Sequence, residues 1–211
     1  MRIFSLQSIL LCLFVSVGVT TAQITYDPPT LVEFTVDLVG EEGPGKIETF
    51  QMEVVPRWSE YGVNRFLELM DIGFFDNMKF YRVLPGLIAQ FGVHGDPEVA
   101  TEWRKKRLET ERIEKSNKKG TLSFATNEAG DRTTQMFFNL QDNHDIDFDG
   151  YIPFGQVVSG FEVLEKLYTG YGDDVDRIKV QTDGEAYFAE FPYLSKIISV
   201  KRVEKAGNDE L

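Results

Sequence analysis

Beyond residue 22 the chain is built from short runs, and this constrains its fold more than any other feature. Stretches of strand length, rich in β-branched and aromatic residues, are separated by glycine, proline and acidic clusters. They lie at 31–39, 47–55, 78–84, 87–93, 120–126, 135–140, 154–158 and 194–203. The turn cluster Glu41-Glu42-Gly43-Pro44-Gly45 joins the first two as a hairpin. Only two stretches carry a helical period. Ser59 can cap a helix whose Val63, Phe66, Leu67 and Met70 fall at i, i+3, i+4 and i+7, and Gly73 ends it. A second helix opens with Ser159 and Glu162 in capping-box spacing, then sets Val163, Leu164, Leu167 and Tyr168 on one face. Eight short strands and two helices predict a mainly β fold, a closed eight-stranded antiparallel barrel capped by two α-helices. No internal repeat or linker divides the chain.

The two ends read as addresses. Arg2, the apolar run Ile9 to Val15 and the small residues Thr20-Thr21-Ala22 have the layout of a secretory signal peptide over residues 1–22. The alternative is an uncleaved anchor, but the run is short for a membrane span, and no later stretch reaches 18 apolar residues. The domain is therefore expected over residues 23–205 with no membrane span, followed by a flexible tail at 206–211. That tail ends Asn208-Asp209-Glu210-Leu211, a variant of the signal that retains soluble proteins in the endoplasmic reticulum lumen. If the tail is not read as such, the protein is secreted.

The only cysteine, Cys12, lies in the leader, so the mature chain holds its core by packing alone. A thiol nucleophile, a thiolate metal site and a redox motif are excluded. With 34 acidic against 22 basic residues the net charge is −12, which opposes binding to nucleic acid through bulk electrostatics. Two segments look like insertions. Residues 97–119 carry the run Arg104-Lys105-Lys106-Arg107 and read as a solvated helix and loop, with docking of an acidic partner as the alternative. Residues 170–193 read as a long loop packed over the barrel.

Most familiar chemistry is missing. His94 and His144 stand in no ligand spacing, and there is no nucleophile elbow or phosphate-cradling loop. Asp145-Ile146-Asp147-Phe148-Asp149-Gly150 opens like a calcium loop, but Gln156 stands where the bidentate glutamate is needed and the flanks are strand-like. An acidic hairpin connection is the expectation, with no metal and no cofactor. The informative stretch is Phe80 to Gly92 (FYRVLPGLIAQFG), which sets Arg82 and Gln90 on successive strands joined by a Pro-Gly turn. By alternation Arg82 shares a face with Leu84, and Gln90 with Ile88 and Gly92. Such an arginine is either a structural partner or functional.

This stretch resembles the first signature of the cyclophilin-type peptidyl-prolyl isomerases. Gly120 to Ala125 and Thr133 to Asn139 are similar to the second, with the spacing from Phe124 to Gln135 kept, and Pro153 to Val157 resembles the family's F-G-x-V strand. The resemblance runs from about Glu33 to Val203. It implies an active groove on the barrel's outer wall, with Arg82 as catalytic arginine and Gln90 as polar groove residue. Phe137 and Ile88 would form the proline pocket, with Leu87 and Ile146 beside it, while Ala125, Thr126 and Gln135 would hold the peptide backbone. It also implies a monomer that acts on proline-containing peptides or protein clients.

Three departures stand out: Leu87 replaces a phenylalanine, the loop Asn127 to Asp131 is altered, and Asp145 or His144 replaces the rim aromatic. Ciclosporin binding is therefore expected to be weakened. A proline-peptide-binding chaperone or scaffold with little turnover is the alternative to an active isomerase.

Overall fold

A computed structural model describes residues 25–41, 45–127 and 129–204. The expected signal peptide, the terminal tail and part of the first hairpin turn lie outside the described residues.

The predicted hairpin forms. Strand β1 (Thr30–Leu38) pairs antiparallel with β2 (Lys46–Val54), from Thr30 opposite Val54 to Leu38 opposite Lys46. Alternation sends Val32, Phe34, Val36, Phe50, Met52 and Val54 to one face, where all are buried. The next predicted strand, 78–84, divides into β3 (Met78–Lys79) and β4 (Arg82–Leu84). Between them Phe80 and Tyr81 are both buried, which strict alternation forbids. Phe80 packs into the main core against Phe91, whereas Tyr81 turns to a second cluster with Val93, Val180 and Tyr187.

The remaining strands are β5 (Ile88–Phe91), β6 (Thr121–Thr126), β7 (Arg132–Asn139), β8 (Pro153–Ser159) and β9 (Lys196–Arg202). They form one antiparallel sheet in the order β3-β9-β1-β2-β8-β6-β7-β5-β4. Its two edge strands are the two halves of the single run 78–84, and the Phe80 N–H donates to the Ser195 carbonyl at 2.9 Å. The sheet is thus curled until its two end strands join through this one run. Eight expected strands become nine only because this seam run bends.

Phenylalanines from opposite walls fill the interior. Phe34 stacks on Phe50 at 4.7 Å, Phe91 on Phe138 at 5.6 Å, and Phe34 meets Phe138 edge-on at 5.6 Å. Each buried ring contributes about 1.5–3 kcal/mol, so packing replaces the absent disulfides. Helix α1 (Glu60–Asp71) is capped as expected, the Ser59 hydroxyl accepting from Gly62 N at 3.0 Å, and buries Val63, Phe66 and Leu69.

Several expectations need correction. The second helix, α3 (Glu162–Glu165), is a single turn, and its capping box is not made. Ser159 ends β8, and Phe161 takes the cap position without a side-chain bond. Val163, Leu164 and Leu167 are nonetheless buried. Residues 97–119 do contain a helix, α2 (Pro97–Arg104), followed by a strap. Its basic run is partnered internally: Arg104 with Gln181, Lys105 with Glu102, Lys106 over Trp103 and Arg107 with Asp131.

Residues 170–193 are not simply a loop. They hold α4 (Arg177–Asp183) and α5 (Glu185–Phe188), whose Val180, Tyr187 and Phe188 build the second cluster around Tyr81. Residues His144–Asp149 form a 3-10 turn instead of a hairpin connection, because β6 lies between β7 and β8 in the sheet.

Candidate active site

The groove begins with register. Pro85 and Gly86 turn the chain between β4 and β5, Gly86 taking φ 65° and Leu87 N donating to Leu84 O at 3.0 Å. A residue with a side chain resists that backbone, which explains the glycine. The turn sets Arg82 opposite Gln90, and the β5–β7 ladder sets Gln90 opposite Phe137. Three side chains therefore stand in a row on adjacent strands, on the outer face. Val83, Ala89, Phe91, Met136 and Phe138, alternating with them, point into the core.

Hydrogen bonds orient this row. The Tyr81 hydroxyl donates to Gln135 Oε1 at 2.8 Å, Gln90 Nε2 donates to the same oxygen at 3.3 Å, and Arg82 donates to Gln90 Oε1 at 3.4 Å. The amide nitrogen of Gln135 donates to no protein group among the described residues. Burial pushes the Tyr81 hydroxyl far above its ordinary value, against the pull of Arg177 and Arg82, so it remains a donor. On its other side, Arg82 donates Nε to the carboxylate of Asp173. That bond holds the Asp173 carboxyl below its usual value, with Arg177 assisting.

The row faces a groove of about 210 Å³. Of the nine residues expected from the sequence, Arg82, Gln90, Phe137, Leu87, Ile88, Ala125, Thr126 and Ile146 line it. Gln135 stands behind, supporting Gln90 and Tyr81. Phe137 and Ile88 are 3% and 9% exposed and make an apolar floor, whereas Leu87 is 37% exposed at the rim. A larger cavity of about 320 Å³, between Phe74 and Phe188, contains none of the nine.

Ile146 is held in place by a polar knot beneath it. Asn117 donates its backbone N–H to Asp147 at 2.8 Å and its side chain to Asp147 at 2.7 Å and to Tyr151 O at 2.9 Å. Ser123 and Asn139 donate to Asn117 Oδ1 at 2.6 and 3.1 Å. Burial alone would raise the Asp147 carboxyl; the Ser116 hydroxyl and the two Asn117 donors outweigh it and hold the carboxyl low. The central acid of the calcium-like string is thus committed to structure. Among the described residues no group of three or more His, Cys, Asp or Glu is placed to hold a metal ion.

What this wall resembles is shown by comparison. Residues 36–183 match the family model "Cyclophilin type peptidyl-prolyl cis-trans isomerase/CLD". The chain belongs to the cyclophilin-type peptidyl-prolyl cis-trans isomerase family. Peptidyl-prolyl cis-trans isomerase A of Dickeya dadantii is 34% identical over 112 residues, covering 50% of this chain and 58% of that protein. The match therefore spans little more than half of that relative. Peptidyl-prolyl cis-trans isomerase B of Bacillus subtilis is 30% identical over 142 residues, covering 66% of this chain and 94% of that protein. A crystal structure of a Cryptosporidium parvum cyclophilin superposes with TM-score 0.59 at 18% identity, over 84% of this chain and 99% of that one, and supports the fold alone.

Two groove residues of this cyclophilin, and a third bonded to Arg82 beside them, are not among the nine expected from the sequence. Tyr151 lines the groove and packs edge-on against Phe137 at 5.4 Å. Its place just before the Pro153-Phe154-Gly155 strand was a usable signal. Asp173 lies 91 residues beyond Arg82 and Arg177 on the same segment, and no local pattern announces them.

Proposed function

We propose that this cyclophilin rotates Xaa–Pro bonds of client proteins folding in the secretory pathway, acting as a monomer without cofactor in the endoplasmic reticulum lumen. The cross-strand row Arg82–Gln90–Phe137 carries the reading. Amide rotation faces a barrier of roughly 18–20 kcal/mol because resonance must be broken. No bond to the client is made or cleaved, so neither nucleophile nor metal is needed.

In this reading Phe137, Ile88, Leu87 and Ile146 hold the proline ring, and Gln135, Ala125 and Thr126 hold the flanking backbone. Arg82, oriented by Gln90, donates to the prolyl nitrogen as it turns pyramidal. The nitrogen lone pair is available as an acceptor only when resonance is lost, so that bond favours the twisted state over either planar one. Arginine suits the role because it stays charged and presents donors in a rigid fork. The apolar leader and the Asn208-Asp209-Glu210-Leu211 tail support the lumenal assignment. Fusing the tail to a secreted reporter tests it, retention being the expected result.

The decisive assay is the cis-to-trans rate of Ala-Xaa-Pro-Phe peptides with residues 23–211. Acceleration is expected, with a fall in kcat/KM of about 10²–10³ in Arg82→Ala, the range for removing one transition-state donor. A folded wild type that accelerates nothing ends the reading. The scaffold alternative would then lead, favoured by Asp173 already occupying the Nε edge of the Arg82 guanidinium. Ciclosporin titration should show weakened binding, since Asp145 or His144 stands where the resemblance places the rim aromatic.

A further inference from the structure

We propose that Arg177 makes this groove selective for clients in which an acidic side chain flanks the proline. The inference rests on the isomerase reading for its kinetic arm only.

Two guanidinium groups line the groove, Arg82 and Arg177. They are not in the same electrostatic state. Arg82 gives its Nε to the Asp173 carboxylate and another nitrogen to Gln90. Arg177, at the start of α4, makes no side-chain hydrogen bond or ion pair among the described residues, and the two acids whose field it shares are bonded elsewhere. Asp173 belongs to Arg82. Asp176, the nearest acid in the chain, accepts from Ile178 N at 2.8 Å and Lys179 N at 3.2 Å, so its charge caps α4. Asp174 does not line the groove. The groove is therefore lined by two cations and no carboxylate; Arg177 feels Asp173 and Asp176 only through space, and among the described residues its guanidinium donors remain unfilled.

Its position bears on the chemistry. Arg177 shares the groove with Phe137 and Ile88, where the proline ring would lie, and with Arg82, which would face the prolyl nitrogen. A side chain within reach of both arginines belongs to a residue next to the proline. A carboxylate there accepts the guanidinium fork, as would a phosphate; a lysine meets like charge. The whole chain, at −12, repels an acidic client at long range. Selection must therefore act at contact, in affinity and dissociation, and not through faster encounter.

The test compares Ala-Glu-Pro-Phe, Ala-Ala-Pro-Phe, Ala-Lys-Pro-Phe and Ala-Ala-Pro-Glu, by calorimetric affinity and by isomerisation rate, on wild type, Arg177→Gln and Arg177→Lys. A glutamate peptide should bind and turn over about five- to tenfold better than the alanine peptide, the range of one partly exposed charge-assisted hydrogen bond. The lysine peptide should fall below it. The ratio should drop to about one in Arg177→Gln and recover in part in Arg177→Lys. Whichever glutamate position responds gives the direction in which the client lies. A phosphoserine-proline peptide binding tighter than the glutamate one would identify phosphate as the natural anion.

Equal affinity for glutamate and alanine peptides in the wild type overturns the proposal, and so does a preference that survives in Arg177→Gln. Absence of turnover with all peptides would remove the isomerase reading alone, because the affinity ratios still decide this one. No binding of any peptide would remove both.

Discussion

The two sides of the groove are built by different means. One is the strand wall, where Arg82, Gln90 and Phe137 stand in register across β4, β5 and β7. Backbone ladders fix their separation at about 4.8 Å per strand, whatever the neighbouring side chains do. The other side comes from two connections, 144–151 and 170–183, which supply Ile146, Tyr151, Arg177 and the Asp173 that grips Arg82. Nothing in the ladder holds these. Asn117 ties down the first connection, and the second rests on Val175, Val180 and Tyr187, with Asp176 N donating to the Tyr187 hydroxyl at 3.1 Å. The wall sets the geometry of the chemistry, and the connections set what the groove accepts.

The sharpest test of the wall is Arg82→Lys. Lysine keeps the charge but cannot donate to Asp173, Gln90 and a prolyl nitrogen from one rigid plane. We expect kcat/KM to fall about a hundredfold, as when a preorganised donor is removed, with an unchanged melting temperature. Near-wild-type activity would mean that charge alone suffices, and the wall would lose its special standing.

The first connection is tested by Asn117→Ala. This removes the side-chain donors to Asp147 and Tyr151 O and leaves Ser123 without its acceptor, all at a residue with no exposure, while the backbone N–H of residue 117 still donates to Asp147. A loss of about 2–4 kcal/mol is expected, seen in urea unfolding, together with weaker peptide binding as Ile146 shifts. The pH dependence gives a second readout. Because the folded Asp147 carboxyl is held low, its contribution is complete above its unfolded value of 3.8 and is lost as pH falls through the lower folded one. Stability measured downward from pH 5 should therefore fall less steeply in Asn117→Ala than in the wild type.

The wall was legible in the sequence because every signal for it is local. Alternation, a Pro-Gly turn and the F-Y-R and Q-M-F-F strings lie within single hairpins. The run 78–84 was misjudged as one strand because Phe80 and Tyr81 serve different cores, and the second core is assembled by residues beyond 170. Helices α4 and α5 were missed for a related reason. At seven and four residues they are too short for a period to develop, and only the cap at Asp176 hints at them. The capping box at Ser159 failed because the strand continues through that residue before Gly160 turns the chain at φ 76°. Asp173 and Arg177 could not be placed at all, since their roles depend on where a distant connection lands.

The smallest expected effect concerns that landing. Asp173 is 64% exposed, so its bond to Arg82 adds little to stability, but it restricts the angle at which the guanidinium can meet a prolyl nitrogen. Asp173→Asn keeps the shape and removes the charge. If the connection braces the wall, kcat should fall about two- to threefold with KM unchanged, the loss expected when one weak orienting contact is removed. The wild-type rate should also drop in acid, at pH values below the ordinary aspartate value of 3.8, because Arg82 lowers the Asp173 value. In the variant that acid limb should be absent. A rise in kcat would reverse the relation between the two regions. Asp173 would then compete with the client for Arg82, the connection would act as a brake on the wall, and the acid limb of the wild type would rise where a brace makes it fall.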